Sequence, residues 1–311
     1  MASDPTSALG VLGWLQTVWT ALGRLTLGEL APEHVDRMLA GLVVHDREGR
    51  PTTRPVSART RQYVRAVLRS ALNRAVKRRI LTRNAAELAD APHVDRAPIV
   101  PLTLDAATRL LAVVRGEPPD ALYSVALAIG LRQGEALGLR WSDVDVARAQ
   151  VIVQVALEQV DGDWHLKDLK PHRCGKLIPL PRFAVDALTE RLEIQREERR
   201  AAGFAWRGNT LGLVFTTGTG MPLSRHNLYR QWRGYLAAAK LPPARFYNLR
   251  HTCASLLRGQ GVGLDAIRDI LGRATIVLTA DTYVHLGQAE HREAMGKMEE
   301  LFPAAESRSA Q

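Results

Sequence analysis

The sequence predicts a mainly α protein with a small antiparallel β-sheet (α+β), organised as two domains. Its 311 residues are too many for one ordinary core, and a hydrophobic content of 46% is enough to bury two. Apolar residues recur at helical spacing along much of the chain, whereas β-branched residues concentrate at 151–157. Three prolines interrupt residues 90–102. We therefore expect domains at 1–95 and 104–311, joined by a linker at 96–103.

The first domain is expected to be all-helical. From residue 5 to residue 23 no side chain is charged, which raises a membrane or signal segment as an alternative. Polar residues and glycines dilute this stretch, and Asp4 stands where a signal peptide requires positive charge. We interpret residues 11–22 as a buried helix, followed by a shorter amphipathic helix at 32–42.

A basic segment at residues 54–83 accounts for the whole net charge of +10. It holds ten basic and no acidic residues, and the rest of the chain is balanced at 32 of each sign. Apolar residues at three- and four-residue steps predict a helix over 57–79 with one buried side. The charge is typical of a surface that binds a polyanion, with a solvated helix face as the alternative. The expected buried residues are Val64, Val67, Leu68, Ala71, Leu72 and Ala75, and the candidate anion-binding cations are Arg59, Arg61, Arg65, Arg69, Lys77 and Arg78.

The second domain is expected to combine a small sheet with several helices. A β-branched run at 151–157, the turn pair Asp161 and Gly162, and a returning strand at 164–166 predict a hairpin. A third strand is expected at 176–180. The expected helices are 103–115, capped by Thr103, and then 135–139, 183–200, 224–239, 248–258, 264–271 and 287–301.

Cysteine usage points to a reducing compartment. The chain has only two cysteines, Cys174 and Cys253, and they are far apart in sequence. This argues against a disulfide framework and against a structural zinc site. We expect a cytoplasmic protein that does not associate with a membrane.

Two arginines stand at expected helix N-termini. A guanidinium binds a phosphate through two parallel hydrogen bonds and stays charged near neutrality. Arg132 precedes the helix at 135–139, where Glu135 is placed to orient it, although such a pair alone is usually structural. Arg250 lies in the first turn of the helix at 248–258, where backbone N–H groups also favour an anion. Together the two arginines are candidates for clamping one phosphate.

Tyr283 follows late in the chain and is a candidate nucleophile. A phenol has a pKa of about 10, so it needs a polarised target or a nearby proton acceptor to attack. Taken alone, one of six tyrosines is most often a packing residue.

The order and spacing of these segments resemble the tyrosine recombinase family, also called phage integrases. The resemblance covers nearly the whole second domain, and residues 57–88 resemble the second half of that family's helical core-binding domain. The segments that carry it are IGLRQGEAL at 129–137, WSDVD at 141–145, NLRHT at 248–252, LGR at 271–273 and TYVH at 282–285.

The resemblance implies a site-specific DNA recombinase of the kind that integrates mobile genetic elements. Such an enzyme cuts by tyrosine attack, leaves a 3′-phosphotyrosyl link and rejoins a different strand end. Arg132 and Arg250 then bind the phosphate, and Tyr283 is the nucleophile. No metal or other cofactor is expected, because the phosphotyrosyl bond conserves the energy of the broken phosphodiester. The implied partners are double-stranded DNA, bound by the basic segment, and three further copies in a homotetramer on two DNA sites; accessory factors are not indicated.

The resemblance also implies a lysine in the β-hairpin, just before the strand at 178–180. Lys170 occupies that position, and Lys167 is its rival. An ammonium there can protonate the leaving 5′-oxygen as a general acid. The alternative is a lysine that only contacts a backbone phosphate.

Two positions depart from the family pattern. Tyr247 stands where the family has a histidine three residues before the second arginine, and Arg273 stands where it has histidine or tryptophan. Both can donate hydrogen bonds to phosphate oxygens, but a guanidinium with a pKa above about 12 cannot accept a proton. The acceptor for the Tyr283 proton is therefore open, with His251 and His285 as candidates, and we expect slow cleavage.

Two other interpretations stay open on the sequence alone. The chain is either an active recombinase, a DNA-binding remnant without chemistry, or a monomeric enzyme of the type IB topoisomerase kind that relaxes supercoils. About 25 residues precede the LGEL element at 27–30, so either the family's accessory arm-binding domain is missing or the chain is a relative shortened at its N-terminus, and we expect no binding to distal arm sites. The tail at 287–301 is expected to dock either on a neighbouring subunit or on its own, through Leu286, Met295, Met298, Leu301 and Phe302.

Overall fold

A computed structural model of the chain describes six stretches and divides them into two compact units. The first unit ends at Pro98 and the second begins at Ile99. Each has its own apolar core, and both combine helices with short antiparallel strands, which confirms the α+β fold class. The described residues are 18–46, 50–94, 100–160, 162–169, 177–272 and 288–301, with side chains in the last stretch from residue 295 onward.

The first unit is helical except for one two-stranded ribbon. β1 (Val43–His45) pairs antiparallel with β2 (Pro51–Pro55), so the expectation of an all-helical domain was wrong. Strands of three and five residues, the second rich in proline and threonine, are too short to show an alternating pattern. The elements are α1, described at 18–22, α2 (Pro32–Ala40), β1 (Val43–His45), β2 (Pro51–Pro55), α3 (Ala58–Lys77) and α4 (Ala85–Leu88).

Helix α3 is the long basic helix that the sequence predicts. It begins at Ser57, whose hydroxyl oxygen accepts a hydrogen bond from the Thr60 N–H at 3.1 Å. Val64 and Leu72 are buried, but Val67 is 69% exposed, and Ala71 is exposed as well. The buried stripe is narrower than predicted because α3 packs against α2 and α4 on one side only.

The second unit holds two separate small sheets and most of the helices. The predicted single sheet was wrong, because the run at 151–157 is divided between two strands. The first joins a three-stranded sheet in the order β3-β4-β7, and the second forms the hairpin β5–β6. The elements are α5 (Leu104–Val114), α6 (Asp120–Ile129), α7 (Gln133–Leu137), β3 (Val144–Asp145), β4 (Gln150–Ile152), β5 (Val155–Val160), β6 (Asp163–Asp168), β7 (Leu177–Pro179), α8 (Arg182–Ala202), α9 (Arg225–Ala238), α10 (Asn248–Gly259), α11 (Leu264–Leu271) and α12 (Gln288–Leu301).

Helix α6 lies at the centre of this unit and was not predicted. Every residue from Ala121 to Ile129 is buried, with α5, α8 and α10 packed around it. A helix that is apolar on all sides lacks the polar face that produces helical periodicity, which is why the sequence pattern missed it. Cys253 of α10 donates its thiol hydrogen to the Ala128 carbonyl at 3.3 Å and ties α10 to the end of α6.

A capping hydrogen bond stabilises the start of α5, and a buried arginine of α8 forms an ion pair and a hydrogen bond. Thr103 caps α5 as predicted, its hydroxyl accepting from the Ala106 N–H at 3.2 Å. Arg191 of α8 is 2% exposed, pairs with Glu198 at 2.8 Å and donates to the Val214 carbonyl at 3.2 Å. The ion pair lies within α8, and the hydrogen bond from Arg191 to Val214 attaches the helix to the segment at 213–216.

The tail helix α12 packs within its own chain. Met295 and Met298 are buried in the core of the second unit, where α12 contacts α10, α11 and β7. Leu301 packs against the same core, whereas Leu286 and Phe302 lie outside the described residues. Of the two arrangements left open by the sequence, the structure shows the one within the subunit.

Across the described stretches, no helix combines the length and apolarity needed to cross a membrane. In the same residues, no three histidine, cysteine, aspartate or glutamate side chains gather as metal ligands do.

We predict that Tyr123→Phe does not destabilise the protein. The Tyr123 hydroxyl is buried and has no hydrogen-bond partner among the residues that the structure describes, in a ring cluster with Trp232 at 5.2 Å and Phe246 at 6.1 Å between centroids. An unmet buried hydroxyl lowers stability, so its removal should leave the free energy of unfolding equal or about 1 kcal/mol higher. Urea denaturation measures this.

The matched control is Trp232→Phe in the same cluster. It removes the 2.6 Å hydrogen bond from the indole nitrogen to the Ala244 carbonyl and leaves a cavity, so it should cost about 2 kcal/mol. A clear loss of stability in Tyr123→Phe would show that the hydroxyl has a partner.

Candidate active site

The site is built at the end of α6, where the chain turns into the short helix α7. Gly130 ends α6 with a φ of 61°, and Arg132 is the N-cap residue of α7. One oxygen of Glu135 accepts from the Arg132 backbone N–H at 2.9 Å, and the other accepts from its guanidinium at 2.7 Å. The Glu135 side chain is 2% exposed, and that of Arg132 is 34% exposed. The carboxylate thus orients a guanidinium that solvent can still reach.

Arg250 joins the ends of three helices. Its side chain leaves the first turn of α10 and donates to the Gly130 carbonyl at 2.6 Å. The other terminal nitrogen donates to the carbonyls of Leu271, at the end of α11, and of Gly272 at 3.3 Å. The residue is 1% exposed. Backbone carbonyls therefore hold the Arg250 guanidinium against Gly130, which precedes Arg132 by two residues in the sequence.

Gly130 is the residue that permits this approach. A Cβ atom at this position would lie 2.1 Å from a methyl carbon of Leu271 and 3.4 Å from the Arg250 Cγ. Leu271 is itself buried, so it has no open space into which to move. The positive φ adds a second reason for glycine.

The hairpin β5–β6 is packed directly against α7. A Cβ on Gly138, the C-cap residue of α7, would lie 2.7 Å from the Leu157 backbone nitrogen. On the hairpin surface the Lys167 ammonium pairs with Glu158 at 3.1 Å. The hairpin therefore brings its lysine-bearing strand to the helix that carries Arg132.

The residues of the WSDVD segment have structural roles. Arg140 makes two hydrogen bonds to Asp143, at 2.8 and 2.9 Å, and one to Gln154 at 3.2 Å. The Trp141 indole donates to Gln195 of α8 at 2.7 Å. These contacts fix the connection between α7 and the strands.

Tyr247 and His251 stack at the start of α10. Their rings meet edge to face, with centroids 4.9 Å apart. The His251 Nε2 atom is buried, and no hydrogen-bond partner is present for it in the described part of the chain. Burial, and secondarily the adjacent Arg250 charge, lower the pKa of His251. The imidazole is therefore held in the neutral form, which is the form that accepts a proton.

Five of the predicted site residues lie at the start of α7 and of α10, two elements that the hydrogen bond from Arg250 to Gly130 connects at the end of α6. They are Arg132, Glu135, Tyr247, Arg250 and His251. The other four, Lys170, Arg273, Tyr283 and His285, lie outside the described residues.

Comparison with known proteins decides the family. The model of the phage integrase family matches residues 102–290. The chain belongs to this family. The resemblance read from the sequence motifs is confirmed, and the matched range contains all the predicted catalytic residues.

Curated relatives of this integrase-family chain are recombinases and integrases. A tyrosine recombinase XerC-like protein of Caldanaerobacter subterraneus subsp. tengcongensis is 31% identical over 204 residues, 62% of this chain. An integrase of Streptomyces ambofaciens is 30% identical over 270 residues, 84% of this chain. The aligned parts span 52% and 66% of the lengths of these two relatives.

The fold also matches a solved integrase structure. The Tn1549 transposon integrase, solved in complex with a circular intermediate DNA, superposes with a TM-score of 0.69 at 18% identity. The match covers 94% of each chain, so the similarity of fold extends over both units.

Helix α9 carries a basic face that our sequence analysis missed. Arg225, His226, Arg230 and Arg233 are all exposed, and the helix contains no acidic residue. A terminal nitrogen of Arg225 lies 3.6 Å from the position of a Cβ on Gly134, the second residue of α7. The absence of acidic residues over 14 positions was the available signal, but the larger charge excess at 54–83 obscured it.

The six candidate cations of the basic segment do not share one environment. Arg65 donates to the carbonyls of Ala89 at 2.7 Å and Glu87 at 3.3 Å, so it closes the end of α4. Arg61 is half-buried. The exposed members are Arg59, Arg69, Lys77 and Arg78.

We predict that Gly130→Ala destabilises this integrase-family chain more than Gly212→Ala does. Gly212 also has a positive φ, 63°, but has open space around it, so its substitution should cost about 1–2 kcal/mol for backbone strain alone. At Gly130 the contacts with Leu271 and Arg250 should add about 1–3 kcal/mol. Chemical denaturation of both variants measures the difference, and equal losses would contradict the close approach.

We also predict that His251 makes stability depend on pH. Its pKa is lower in the folded protein than the value of about 6.5 in an unfolded chain, so the unfolded state takes up the proton first. The free energy of unfolding should therefore fall as the pH drops below about 6.5, and His251→Gln should reduce that fall. The exposed His165→Gln is the control, and an unchanged pH profile in His251→Gln would count against the burial effect.

Proposed function

We propose that the chain is a site-specific DNA recombinase that cuts and rejoins strands through a 3′-phosphotyrosyl intermediate. The observation that carries this proposal is the hydrogen bond from Arg250 to the Gly130 carbonyl, which bridges 120 residues of sequence. This contact supports the proposal because it joins the two arginine-bearing segments of the family, with Arg132 two residues after Gly130. A pair of guanidiniums at one point is suited to hold a single backbone phosphate.

The proposed chemistry needs no group beyond the side chains. The Tyr283 oxygen attacks the phosphorus, the bond to the 5′-oxygen breaks, and Arg132 and Arg250 stabilise the charge on the phosphate oxygens. Tyr247 and Arg273 donate to the same oxygens. A 5′-hydroxyl from another strand then attacks the phosphotyrosyl bond and restores the phosphodiester and the free phenol.

Two proton transfers complete the proposal. His251 accepts the proton of Tyr283, since its environment keeps it neutral, and His285 is the alternative acceptor. Lys170 donates a proton to the leaving 5′-oxygen. We favour Lys170 over Lys167 because the Lys167 ammonium is paired with Glu158 on the hairpin surface.

The proposed substrate is double-stranded DNA, bound by both units. In the first unit the exposed cations of α3 contact phosphates, and in the second unit the basic face of α9 does so beside Arg132. The circular intermediate DNA in the Tn1549 integrase complex supports this choice of substrate. A homotetramer acting on two DNA sites is the proposed working assembly, by analogy with the family.

One observation favours a second candidate, a DNA-binding protein without chemistry. Arg250 is 1% exposed, and its terminal nitrogens are engaged with three backbone carbonyls. If these contacts persist on DNA, the guanidinium contributes to structure only. Formation of a covalent DNA adduct distinguishes the two candidates.

We predict that the native chain forms a covalent adduct with nicked duplexes carrying candidate attachment sites, and that Tyr283→Phe does not. The nick lets the cleaved end diffuse away and traps the intermediate, which a denaturing gel resolves. Tyr123→Phe, which alters a tyrosine buried in the core and is expected not to destabilise the protein, is the matched control and should retain the adduct. Adduct formation by Tyr283→Phe would exclude Tyr283 as the nucleophile.

The same assay with Arg273→His separates a slow enzyme from an inactive one. A slow native enzyme gives some adduct, and the variant gives more. Adduct from the variant alone would mean that the native chain is catalytically silent. Relaxation of a supercoiled plasmid without recombinant product would favour the topoisomerase alternative.

A further inference from the structure

The outer face of α3 exposes two apolar side chains that the proposed phosphate contacts do not explain. Tyr63 is 56% exposed and Val67 is 69% exposed. They are four residues apart, so they lie next to each other on the surface of the helix. The opposite side of α3 is the buried one, which contains Val64 and Leu72.

The charges around this apolar pair indicate what covers it. Helix α3 carries six cations and no acidic residue. The Arg59 guanidinium carbon lies 4.8 Å from the centre of the Tyr63 ring, and Arg74 and Lys77 continue the exposed face towards the helix end. A second copy of the same face would bring like charges together, whereas a polyanion is attracted.

A groove beside the apolar pair strengthens the case for nucleic acid. It has a volume of about 660 Å³ and lies along α3, and the carboxylate of Glu87 from α4 is also part of its lining. Three cations line it, and so do two small polar side chains that can donate hydrogen bonds. These lining residues are Arg69, Arg74, Lys77, Ser70 and Asn73. Such a groove suits a run of phosphodiesters, with the apolar pair standing just outside it.

Helix dimensions decide which part of DNA the apolar pair would meet. A 20-residue helix is about 30 Å long, and the major groove of B-DNA, about 12 Å wide, admits one helix. When the cations of α3 contact phosphates of the two strands, the side chains that lie between these cations on the helix face the base edges. The apolar feature of a base edge in that groove is the C5-methyl group of thymine.

We propose that Tyr63 and Val67 read thymine methyl groups in the major groove of the DNA site. The inference rests on the proposed function only in taking duplex DNA as the ligand. It assigns part of the sequence preference to two apolar side chains, while the neighbouring cations supply affinity for any sequence.

The test begins by selecting duplexes from a randomised pool with the full-length native chain. Each thymine in the selected consensus is then replaced by deoxyuridine, which removes the methyl group and nothing else. Loss of one buried methyl contact should weaken native binding about fourfold at one or two positions. Val67→Ser should bind the thymine and deoxyuridine duplexes equally at one such position, and Tyr63→Ala should do so at another.

Leu88→Ser is the matched control, because Leu88 is 59% exposed and belongs to α4 rather than to α3. It should respond to deoxyuridine as the native chain does. Both α3 variants should keep the native affinity for a duplex of unrelated sequence, which also shows that they fold.

Several results would overturn the inference. The native chain could bind the thymine and deoxyuridine duplexes equally, or the selection could yield no consensus sequence. The deoxyuridine substitution could also weaken binding by both α3 variants as much as it weakens binding by the native chain. A loss of self-association in Val67→Ser with unchanged base preference would assign the pair to a protein contact instead. The adduct assay on Tyr283 tests the proposed function independently. If the chain distinguishes thymine from deoxyuridine but forms no adduct, this inference holds and the recombinase proposal fails. If it forms an adduct but does not distinguish the two bases, only this inference fails.

Discussion

The burial of the Arg250 guanidinium among backbone carbonyls is the interaction on which the rest of the site depends. Taking a charge out of water costs several kcal/mol unless hydrogen bonds replace the hydration. Here the replacement comes from the carbonyls at the ends of α6 and α11, each a charge-assisted bond of about 1.5–3 kcal/mol. Those ends must therefore converge on α10, and the chain that leaves α6 must pass beside Arg250.

This arrangement explains why the position needs arginine rather than any cation. The planar fork reaches the Gly130 carbonyl from one terminal nitrogen and the carbonyls at 271–272 from the other. A lysine ammonium is a single point on a flexible stem and cannot span two helix ends in this way. The contact between α6 and α10 thus requires both the missing side chain at Gly130 and the planar guanidinium of Arg250.

Sequence patterns predicted the amphipathic parts of the fold and missed the parts that lack a polar face. Helix α11 was predicted to the residue, because its apolar positions repeat at helical spacing. Helix α6 was missed because it is buried throughout, and the ribbon β1–β2 was missed because its strands are short. Val67 was assigned to the core because the sequence pattern shows the spacing of apolar residues. It does not show how much of the apolar side of α3 the neighbouring helices cover.

For the site, the motifs located Arg132, Glu135 and Arg250, and the family model confirms the resemblance on which they rest. The partners of Arg250 could not be predicted, because they are backbone groups contributed by distant helix ends and any residue type supplies a carbonyl. The neutral state of His251 likewise depends on burial at the start of α10, which no local pattern records.

Arg65 caps α4 with its guanidinium, so the number of cations available to bind a polyanion is smaller than the number counted in the sequence. Its guanidinium satisfies carbonyls within the protein, so it does not displace a condensed counterion from a nucleic acid as a surface cation does. The binding constant for the proposed DNA ligand should therefore depend on salt concentration less steeply than it would if all ten cations of the basic segment contacted phosphates. The positive charge that α3 can present to a polyanion is therefore smaller than its composition implies.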